Sequence, residues 1–373
     1  MIVSAGTLLS VSAWLMATPA QHQADTFAEF NPRSLIWLNE NERHSLVRRS
    51  EESGVQMAFA PLRLSADRAL ARSPNPIAEI IYEGHVGNHP SRIRTVAHLQ
   101  DMVALHDLTW SWVLTSEDRY RMGAADYLLA WAKTYQPLGN DVNENKLSFC
   151  FYAYAVLRDT LTEKQDRQIR VWLRRIGEVQ VARGQGGSTR GNRAIKRIKI
   201  VLLAGIALDD QTMFRWAQEK LQVVLDLTLN EDGSTHDFLR RDAMHYHMSS
   251  LKALLEVDYL LRTTRRSLYA KTNTQGGSLY KSIAFCLPYI RRERTHLEWV
   301  GSKVKLDKQR WEAGDEEYRP GKPWDPLKAY GVLTLALPFQ SELRPLRDQL
   351  IKEGAKRDAW LETLIDSIDF AND

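Results

Sequence analysis

From about residue 96 onward, apolar side chains recur every three or four positions, for example along 120–133, 169–176, 213–225 and 248–260. This spacing places them on one face of an α-helix. Thr115 and Thr162 stand three residues before Asp118 and Gln165, just ahead of the first two of these runs. That arrangement is typical of a capping box at a helix start. The sequence therefore predicts a series of amphipathic helices.

The segments between these runs are short turns that contain Gly, Asn or Pro, at 136–143, 184–191, 230–234 and 272–278. The alternation typical of strands is hard to find. Helices joined by such turns predict helical hairpins stacked into a solenoid or a closed toroid. A toroid tolerates a large chain because each hairpin packs chiefly on its neighbours. We therefore expect an all-α fold in which 21–373 form a single domain.

The N-terminal region has the pattern of an export signal. Residues 8–16 form an apolar run too short to span a bilayer, and small residues follow up to Ala20. We expect 1–20 to be a signal peptide and the mature protein to be periplasmic or secreted, with no membrane attachment after cleavage. Because no Lys or Arg precedes the run, an N-terminal membrane anchor or a wrongly assigned start codon remains an alternative.

Composition narrows the function classes. The 373 residues carry a formal net charge of +4 without long basic blocks, which argues against nucleic acid as the partner. Cys150 and Cys286 are the two cysteines of the chain. They form one disulfide or remain two buried thiols, and two cysteines cannot build a Cys-type zinc site.

The stretch 237–247 (DFLRRDAMHYH) carries the main candidate for catalysis, Tyr246. We expect Asp242 to cap the following helix, with Tyr246 in or just after its first turn and Arg240 and Arg241 in the approaching loop. A phenol has an ordinary pKa of about 10 and becomes a usable base only if its phenolate is stabilised. A guanidinium and a helix N-terminus both do this. The alternative is a tyrosine packed at a helix–helix contact.

His245 and His247 flank that tyrosine. On a helix they point in directions about 200° apart, so the two cannot easily share a metal ion. We expect one of them to line a cleft as a proton-transfer partner. A hydrogen-bonded histidine in the core is an equal alternative.

A glycine-rich stretch, 184–197, leads into another predicted helix. It lacks the GK[ST] of a P-loop. Arg190, Asn192, Arg193 and Arg197 surround the expected helix start, where free backbone N–H groups favour an anion. The alternative is a solvated basic face with Asn192 as an N-cap.

Two further stretches concentrate polar and aromatic residues. The first, 82–94, contains Tyr82, His89 and Arg92, and the second, 298–310, contains Lys303 and Arg310. Aromatic faces bind sugar rings, and Lys or Arg binds carboxylates. Each stretch is therefore expected to line a sugar cleft, or else to be ordinary surface.

Taken together, 127–133 (YLLAWAK), 137–145 (PLGNDVNEN), 232–234 (DGS) and 241–247 (RDAMHYH) resemble the alginate lyase superfamily, which includes mannuronate-cleaving and glucuronan lyases. The resemblance extends from about residue 80 to 330. It implies an (α/α) toroid (incomplete barrel) of helical hairpins and an elimination that needs neither metal nor cofactor. The expected substrate is an acidic polysaccharide, a polyuronate.

The resemblance also implies roles for individual residues. Mannuronate lyases of this kind use an Asn-Asn-His triplet, and here Asn192 retains the second Asn while Arg193 stands in place of the histidine. Tyr246 matches the catalytic tyrosine, and either Arg240 or Arg241 matches the catalytic arginine. Asn192 and an arginine would neutralise the uronate carboxylate.

Further expectations follow for the reaction. Tyr246 would act as both base and acid on one face of the sugar, with His245 or His247 as reserve partners. A glycoside hydrolase on the same fold is the second hypothesis. It needs two carboxylates across a cleft, and Glu83, Asp237 and Asp242 are available. The third hypothesis is a non-catalytic polysaccharide-binding protein.

Overall fold

Sixteen α-helices make up most of 27–30, 32–262 and 267–368, the residues that a computed structural model describes. The expected signal peptide lies outside this part of the chain. Within the same ranges, no helix is long and apolar enough to cross a membrane. The helices are α1 (Glu40–Arg48), α2 (Ser53–Leu70), α3 (Pro90–Thr115), α4 (Asp118–Thr134), α5 (Asp141–Glu144), α6 (Ser148–Leu157), α7 (Glu163–Gly184), α8 (Gly191–Ala207), α9 (Gln211–Thr228), α10 (His236–Arg241), α11 (Met244–Leu261), α12 (Leu279–Ile290), α13 (Lys305–Glu312), α14 (Tyr330–Ala336), α15 (Arg344–Lys352) and α16 (Ala359–Ile365).

These helices form two concentric layers. In the inner layer α3, α6, α8, α11 and α14 each pack against the next. In the outer layer α2, α4, α7, α9, α12 and α15 each pack on an inner helix to complete a hairpin, and α16 returns to α2. Packing each amphipathic helix against its neighbours buries the apolar stripe that the periodicity predicted. The expected (α/α) toroid is confirmed.

One of the two predicted capping boxes is present. Thr162 accepts a hydrogen bond from the backbone of Gln165, whose side chain accepts one in return, and α7 begins there. The prediction at Thr115 is wrong, because that residue ends α3 and its hydroxyl donates to the carbonyl oxygen of Ser111 at 2.7 Å. The buried apolar run before Thr115 extends α3 through it, so tertiary packing overrides the local capping signal.

An aromatic cluster packs between the inner helices α3 and α6, helix α16 and the residues before α1. Trp110 packs on Tyr152 and Trp360, and Trp37 meets Tyr152 edge to face at 5.1 Å. Burying one large apolar side chain stabilises the fold by about 1.5–3 kcal/mol. Cys150 on α6 and Cys286 on α12 are both buried free thiols. The alternative of two buried thiols is therefore confirmed, and no disulfide joins them.

The chain leaves the ring between α12 and α14. Leu297–Glu298 (β1) and Lys322–Pro323 (β2) pair antiparallel and enclose α13. This excursion covers the N-terminal end of α11, where the candidate tyrosine lies.

The N-terminal segment, 27–30 and 32–38, lies at the mouth of the ring. The Phe30 amide donates to the hydroxyl of Tyr82 at 3.3 Å, and the ammonium of Lys146 donates to the Phe30 carbonyl oxygen at 2.5 Å. The guanidinium of Arg92 donates to the Ala28 carbonyl oxygen at 2.7 Å. These contacts fix the segment against α3 and the turn that precedes α6.

Candidate active site

The start of α11 is held by a residue from the excursion. The expectation that Asp242 caps this helix is wrong: Asp242 has φ 48°, and its carboxylate accepts from the Gly301 amide at 2.7 Å. The free amides of Met244 and His245 instead donate to the Glu298 carboxylate at 2.7 and 3.3 Å. Burial raises the pKa of Glu298 to about 7. A carboxylate at a helix N-terminus also compensates the helix dipole.

Tyr246, the third residue of α11, lies between two guanidinium groups. Arg310 donates from Nη1 to the Tyr246 hydroxyl at 3.3 Å. Arg241 stacks on the tyrosine ring, 3.7 Å from its centroid, and pairs with Asp307 at 3.4 Å. Positive charge on both sides stabilises negative charge that develops on the phenol oxygen.

A second phenol shares this environment. The same Nη1 of Arg310 donates to the Tyr318 hydroxyl at 2.5 Å. Burial raises the pKa of Tyr318 well above its ordinary value, so Tyr318 remains a neutral phenol. Trp299 packs against both rings, 4.7 Å from Tyr318 and 5.7 Å from Tyr246. The two phenols are therefore fixed by packing as well as by the shared cation.

Tyr246 opens into a cavity of about 690 Å³ that we call the outer cavity. It lies at the mouth of the ring, between the inner helices, the excursion and the N-terminal segment. Its lining residues are Phe27, Glu29, Tyr82, Arg92, Val142, Lys146, Lys196, His245, Tyr246, Met248, Ser249, Lys252, Arg310, Asp315, Glu317, Tyr318, Lys328, Gly331 and Val332.

A smaller inner cavity of about 200 Å³ lies deeper in the ring. Lys146, Lys196, Ser249 and Lys252 line both cavities, so the two adjoin. Within the described ranges none of these three lysines forms an ion pair with a carboxylate. Burial, with repulsion from Lys196, lowers the pKa of Lys146 to about 7, and burial with repulsion from Lys199 lowers that of Lys196 to about 8. An uncompensated cationic cluster favours an anionic ligand.

His245 lines the outer cavity beside the tyrosine. Burial lowers its pKa to about 4, although Glu317 lies 3.8 Å from its Nδ1. The imidazole is therefore neutral near pH 7 and accepts or relays a proton rather than supplying positive charge. His247 is fully buried and hydrogen-bonded to Thr235 and to the carbonyl oxygen of Ser282, so it is a core histidine and its predicted role in substrate binding is wrong.

The start of α8 is already occupied by protein groups. The Asn192 amide donates to the Asp237 carboxylate at 2.5 Å, and the Gly191 amide donates to Thr228 at 2.9 Å. Gly191 has φ 71°, and a Cβ there would lie 2.7 Å from the Asp237 oxygens. A substrate anion cannot use these amides, which corrects the prediction of an anion site. The side-chain oxygen of Asn192 accepts from Lys196 at 3.1 Å, so Asn192 positions a cleft lysine.

The predicted substrate arginines of the glycine-rich stretch lie elsewhere. Arg193 pairs with Glu83 and Asp141, both at 2.9 Å, and Arg197 pairs with Asp141 at 2.7 Å. With the exposed Arg240 they line a separate basic groove of about 790 Å³. Arg190 is exposed and lines none of these cavities. Arg193 therefore does not stand beside Tyr246 in place of the family histidine.

Of the other predicted binding residues, some line the outer cavity and some do not. Tyr82 and Arg92 line the outer cavity, but they bond each other at 3.1 Å and anchor the N-terminal segment. His89 caps α3 through a bond from the Ser91 amide, and Lys303 is exposed, so neither lines the cleft.

Several cleft residues were missed by sequence reasoning, namely Tyr318, Lys146, Lys252 and Lys328, and Lys196 was noted only as part of the basic stretch. Lys196 and Lys252 interrupt the apolar faces of α8 and α11, a signal that was available. The hydrolase candidates Glu83, Asp237 and Asp242 line neither the outer nor the inner cavity. Clusters of three or more His, Cys, Asp or Glu suited to a metal ion are absent from the described ranges.

Comparison with known proteins agrees with this architecture. An alginate lyase from Bacteroides ovatus superposes with a TM-score of 0.64 at 15% identity, covering 86% of this chain and 97% of the other. The apo form of a histidine-to-alanine variant of alginate lyase A1-III, an enzyme from Sphingomonas species A1, gives 0.54 at 17% identity, with 90% and 97% covered. The same variant complexed with tetrasaccharide gives 0.51 at 18% identity, with 72% and 76% covered.

The sequence itself identifies the family. Among curated protein sequences, none matches this chain significantly. The family model described as alginate lyase matches residues 62–296. Since that match spans more than half of its length, the chain belongs to the alginate lyase family and is a polysaccharide lyase.

Proposed function

We propose that this enzyme cleaves a polyuronate, either the mannuronate of alginate or a glucuronan, by β-elimination at Tyr246. The observation that carries the proposal is the position of this phenol between Arg310 and Arg241 at the edge of a cationic cavity. Elimination needs a base at C5, an acid for O4 and neutralisation of the C6 carboxylate.

Tyr246 supplies the base and the acid in this scheme. Its phenolate, stabilised by the two guanidinium groups, takes the C5 proton. The electron pair released from the C5–H bond forms the C4=C5 double bond as the C4–O4 bond breaks, and the phenol returns its proton to O4. Proton and leaving group depart from the same face in a mannuronate or glucuronate chain, so one residue serves both steps.

In this scheme lysine side chains, and not residues of the glycine-rich stretch, neutralise the C6 carboxylate of the uronate. Lys196 on α8, held by Asn192, and Lys252 on α11, the helix that also carries Tyr246, line the same cavity as the tyrosine. An ammonium close to the carboxylate lowers the energy of the enolate-like intermediate. The two lysines take the role of neutralising the carboxylate in place of Arg193, because the charge of Arg193 is paired with Glu83 and Asp141.

The test is turnover of polymannuronate, polyguluronate and glucuronan, followed by the ultraviolet absorbance of the unsaturated uronate product. We expect activity on polymannuronate or glucuronan. Tyr246→Phe should lower kcat by about 10²–10⁴-fold, the usual contribution of a general acid–base group, while circular dichroism stays unchanged. Full activity of Tyr246→Phe would assign the base elsewhere.

The same assay separates the alternatives. Reducing sugar released without ultraviolet absorbance would indicate a hydrolase. Binding of a polyuronate without turnover would indicate a carbohydrate-binding protein, and either result would overturn the proposal.

A further inference from the structure

The inner cavity continues the cleft past the catalytic tyrosine. Along α8 its lining passes from Lys196 to Lys199, and along α11 from Lys252 to Glu256, one turn further into the ring in each case. Its volume is about 200 Å³. An engineered cavity of about 150 Å³ holds one benzene molecule, so this space suits a single six-membered sugar ring.

The inner end of this cavity is closed by the protein core. Lys199 and Glu256 pair across it at 2.7 Å, and both are buried. His106, also buried, bonds Asp107 at 2.7 Å and packs on Phe149 and Trp110 of the aromatic cluster. A polysaccharide therefore cannot pass through the ring at this end.

Residues of the N-terminal segment line the remaining side of the cavity. Phe30, Pro32, Arg33 and Leu35 line it, and the Arg33 guanidinium pairs with Asp107 at 3.1 Å. The open direction thus leads back to the outer cavity and to Tyr246.

The three ammonium groups at the junction of the two cavities have no carboxylate partner among the described residues. The ammonium of Lys252 forms neither a hydrogen bond nor an ion pair within 27–30, 32–262 and 267–368. The ammonium of Lys146 contacts a backbone oxygen, and that of Lys196 contacts an amide oxygen. Asn145 is 8% exposed, lines the inner cavity, and its side-chain oxygen has no hydrogen-bond partner among the described residues. Three cations and a buried acceptor match a uronate, which has one carboxylate and several hydroxyl donors.

We propose that the inner cavity binds the uronate at the reducing end of the chain, which is the sugar that reacts at Tyr246, with its carboxylate at Lys146, Lys196 and Lys252, so that the enzyme removes single sugars from the chain end. Asn145 accepts a hydrogen bond from a hydroxyl of the same sugar. The inference rests on the proposed lyase function and adds the direction of attack. A subsite that ends at the buried Lys199–Glu256 pair and has room for one sugar disfavours cutting in the middle of a chain.

Product size over time tests the direction of attack. The full chain is incubated with long polymannuronate and glucuronan, and ultraviolet absorbance, viscosity and the size of products by mass spectrometry are followed together. We expect monosaccharide from the first time points and a slow fall in viscosity. A rapid fall in viscosity with a ladder of oligosaccharides would overturn the inference while leaving the lyase function intact. Absence of ultraviolet absorbance on every polymer would instead contradict the lyase function.

Variants of the cluster test the assignment of the carboxylate site. Lys252→Met removes a charge without breaking a bond seen in the described structure, and we expect KM to rise about tenfold or more because a hydrogen bond to a charged group is lost. Lys252→Arg should restore most of the affinity. Lys303→Met makes the same charge change at an exposed position outside the cleft and should change KM by less than about twofold. Equal effects of Lys252→Met and Lys303→Met would remove Lys252 from the subsite.

Discussion

Two cationic regions lie on either side of the first turns of α8. They differ in whether their cationic side chains pair with carboxylates. In the basic groove, Arg193 and Arg197 share Asp141, which is fully buried. In the cleft, Lys146 and Lys252 line the outer cavity and form no ion pair within the described ranges. The arginine charges of the basic groove are neutralised by Asp141, whereas the lysine charges of the cleft are not. The lysine cluster is therefore the one that can attract an acidic polysaccharide.

This contrast explains why the residue types of the glycine-rich stretch wrongly predicted an anion site there. Both regions are rich in Lys and Arg, and the glycine-rich stretch has the stronger local signal. Its free amides and guanidinium groups are satisfied by Asp141 and Asp237, which come from other parts of the chain. The following variants test the contrast.

The largest expected effect is on stability in the basic groove. Asp141→Ala leaves the buried Arg197 without its carboxylate, and removing one partner of a buried ion pair costs about 3–5 kcal/mol. We expect a loss of this size in the free energy of unfolding from urea denaturation. Glu83→Ala, which breaks the half-exposed pair with Arg193, is the matched control and should cost below about 1 kcal/mol. Equal losses would mean that the Asp141 network is not the structural support of this region.

The next effect is on catalysis in the cleft. Arg310→Met removes the donor to the Tyr246 hydroxyl, and loss of one such preorganised donor lowers kcat by about 10²–10³-fold. The measurement is steady-state kinetics on the preferred polyuronate.

Two variants control for this result. Arg240→Met removes an arginine of the basic groove and should leave kcat within about twofold. Tyr318→Phe keeps the bond between Arg310 and Tyr246 and should lower kcat by less than about tenfold. If Arg240→Met were as damaging as Arg310→Met, Arg240 would be the catalytic arginine after all.

The smallest expected effect is the dependence of affinity on pH. The pKa values of Lys146 and Lys196, lowered by burial to about 7 and about 8, place their loss of charge between neutral and mildly basic pH. Since an anion binds the protonated forms, KM should rise as pH increases from 7 to 9, by at most about tenfold per unit for each group. Lys199, Lys252, Arg92, Glu29 and Glu256 also face these ammonium groups and shift the midpoint. A KM that stays constant from pH 6 to 9 would exclude both lysines from binding.

The same lowered pKa values affect folding stability with a defined sign. Unfolded lysine keeps its proton up to about pH 10.4, whereas folded Lys146 loses it near 7. The unfolded state therefore binds more protons between these values, and the free energy of unfolding contributed by this group rises with pH across that window. Lys146→Met should flatten this part of the stability profile.

The sequence by itself determined the local elements. Periodicity of apolar residues indicated the helices, the Thr162 and Gln165 pair gave the start of α7, and the 241–247 stretch placed Tyr246 in the first turn of α11. These features depend on residues a few positions apart, where helix geometry dictates which side chains are neighbours. The resemblance carried by the same stretches also identified the family.

Only the tertiary structure decided which charges meet the tyrosine. Arg310 reaches Tyr246 from 64 residues away, and Asp141 reaches Arg193 from 52. Glu298 rather than Asp242 holds the start of α11, although Asp242 is the nearer residue in sequence. A side chain's partner depends on how the ring of helices closes, and no local pattern encodes that closure. The chain thus specifies the position of the candidate catalytic phenol locally, whereas the cationic environment of that phenol arises from packing of distant segments.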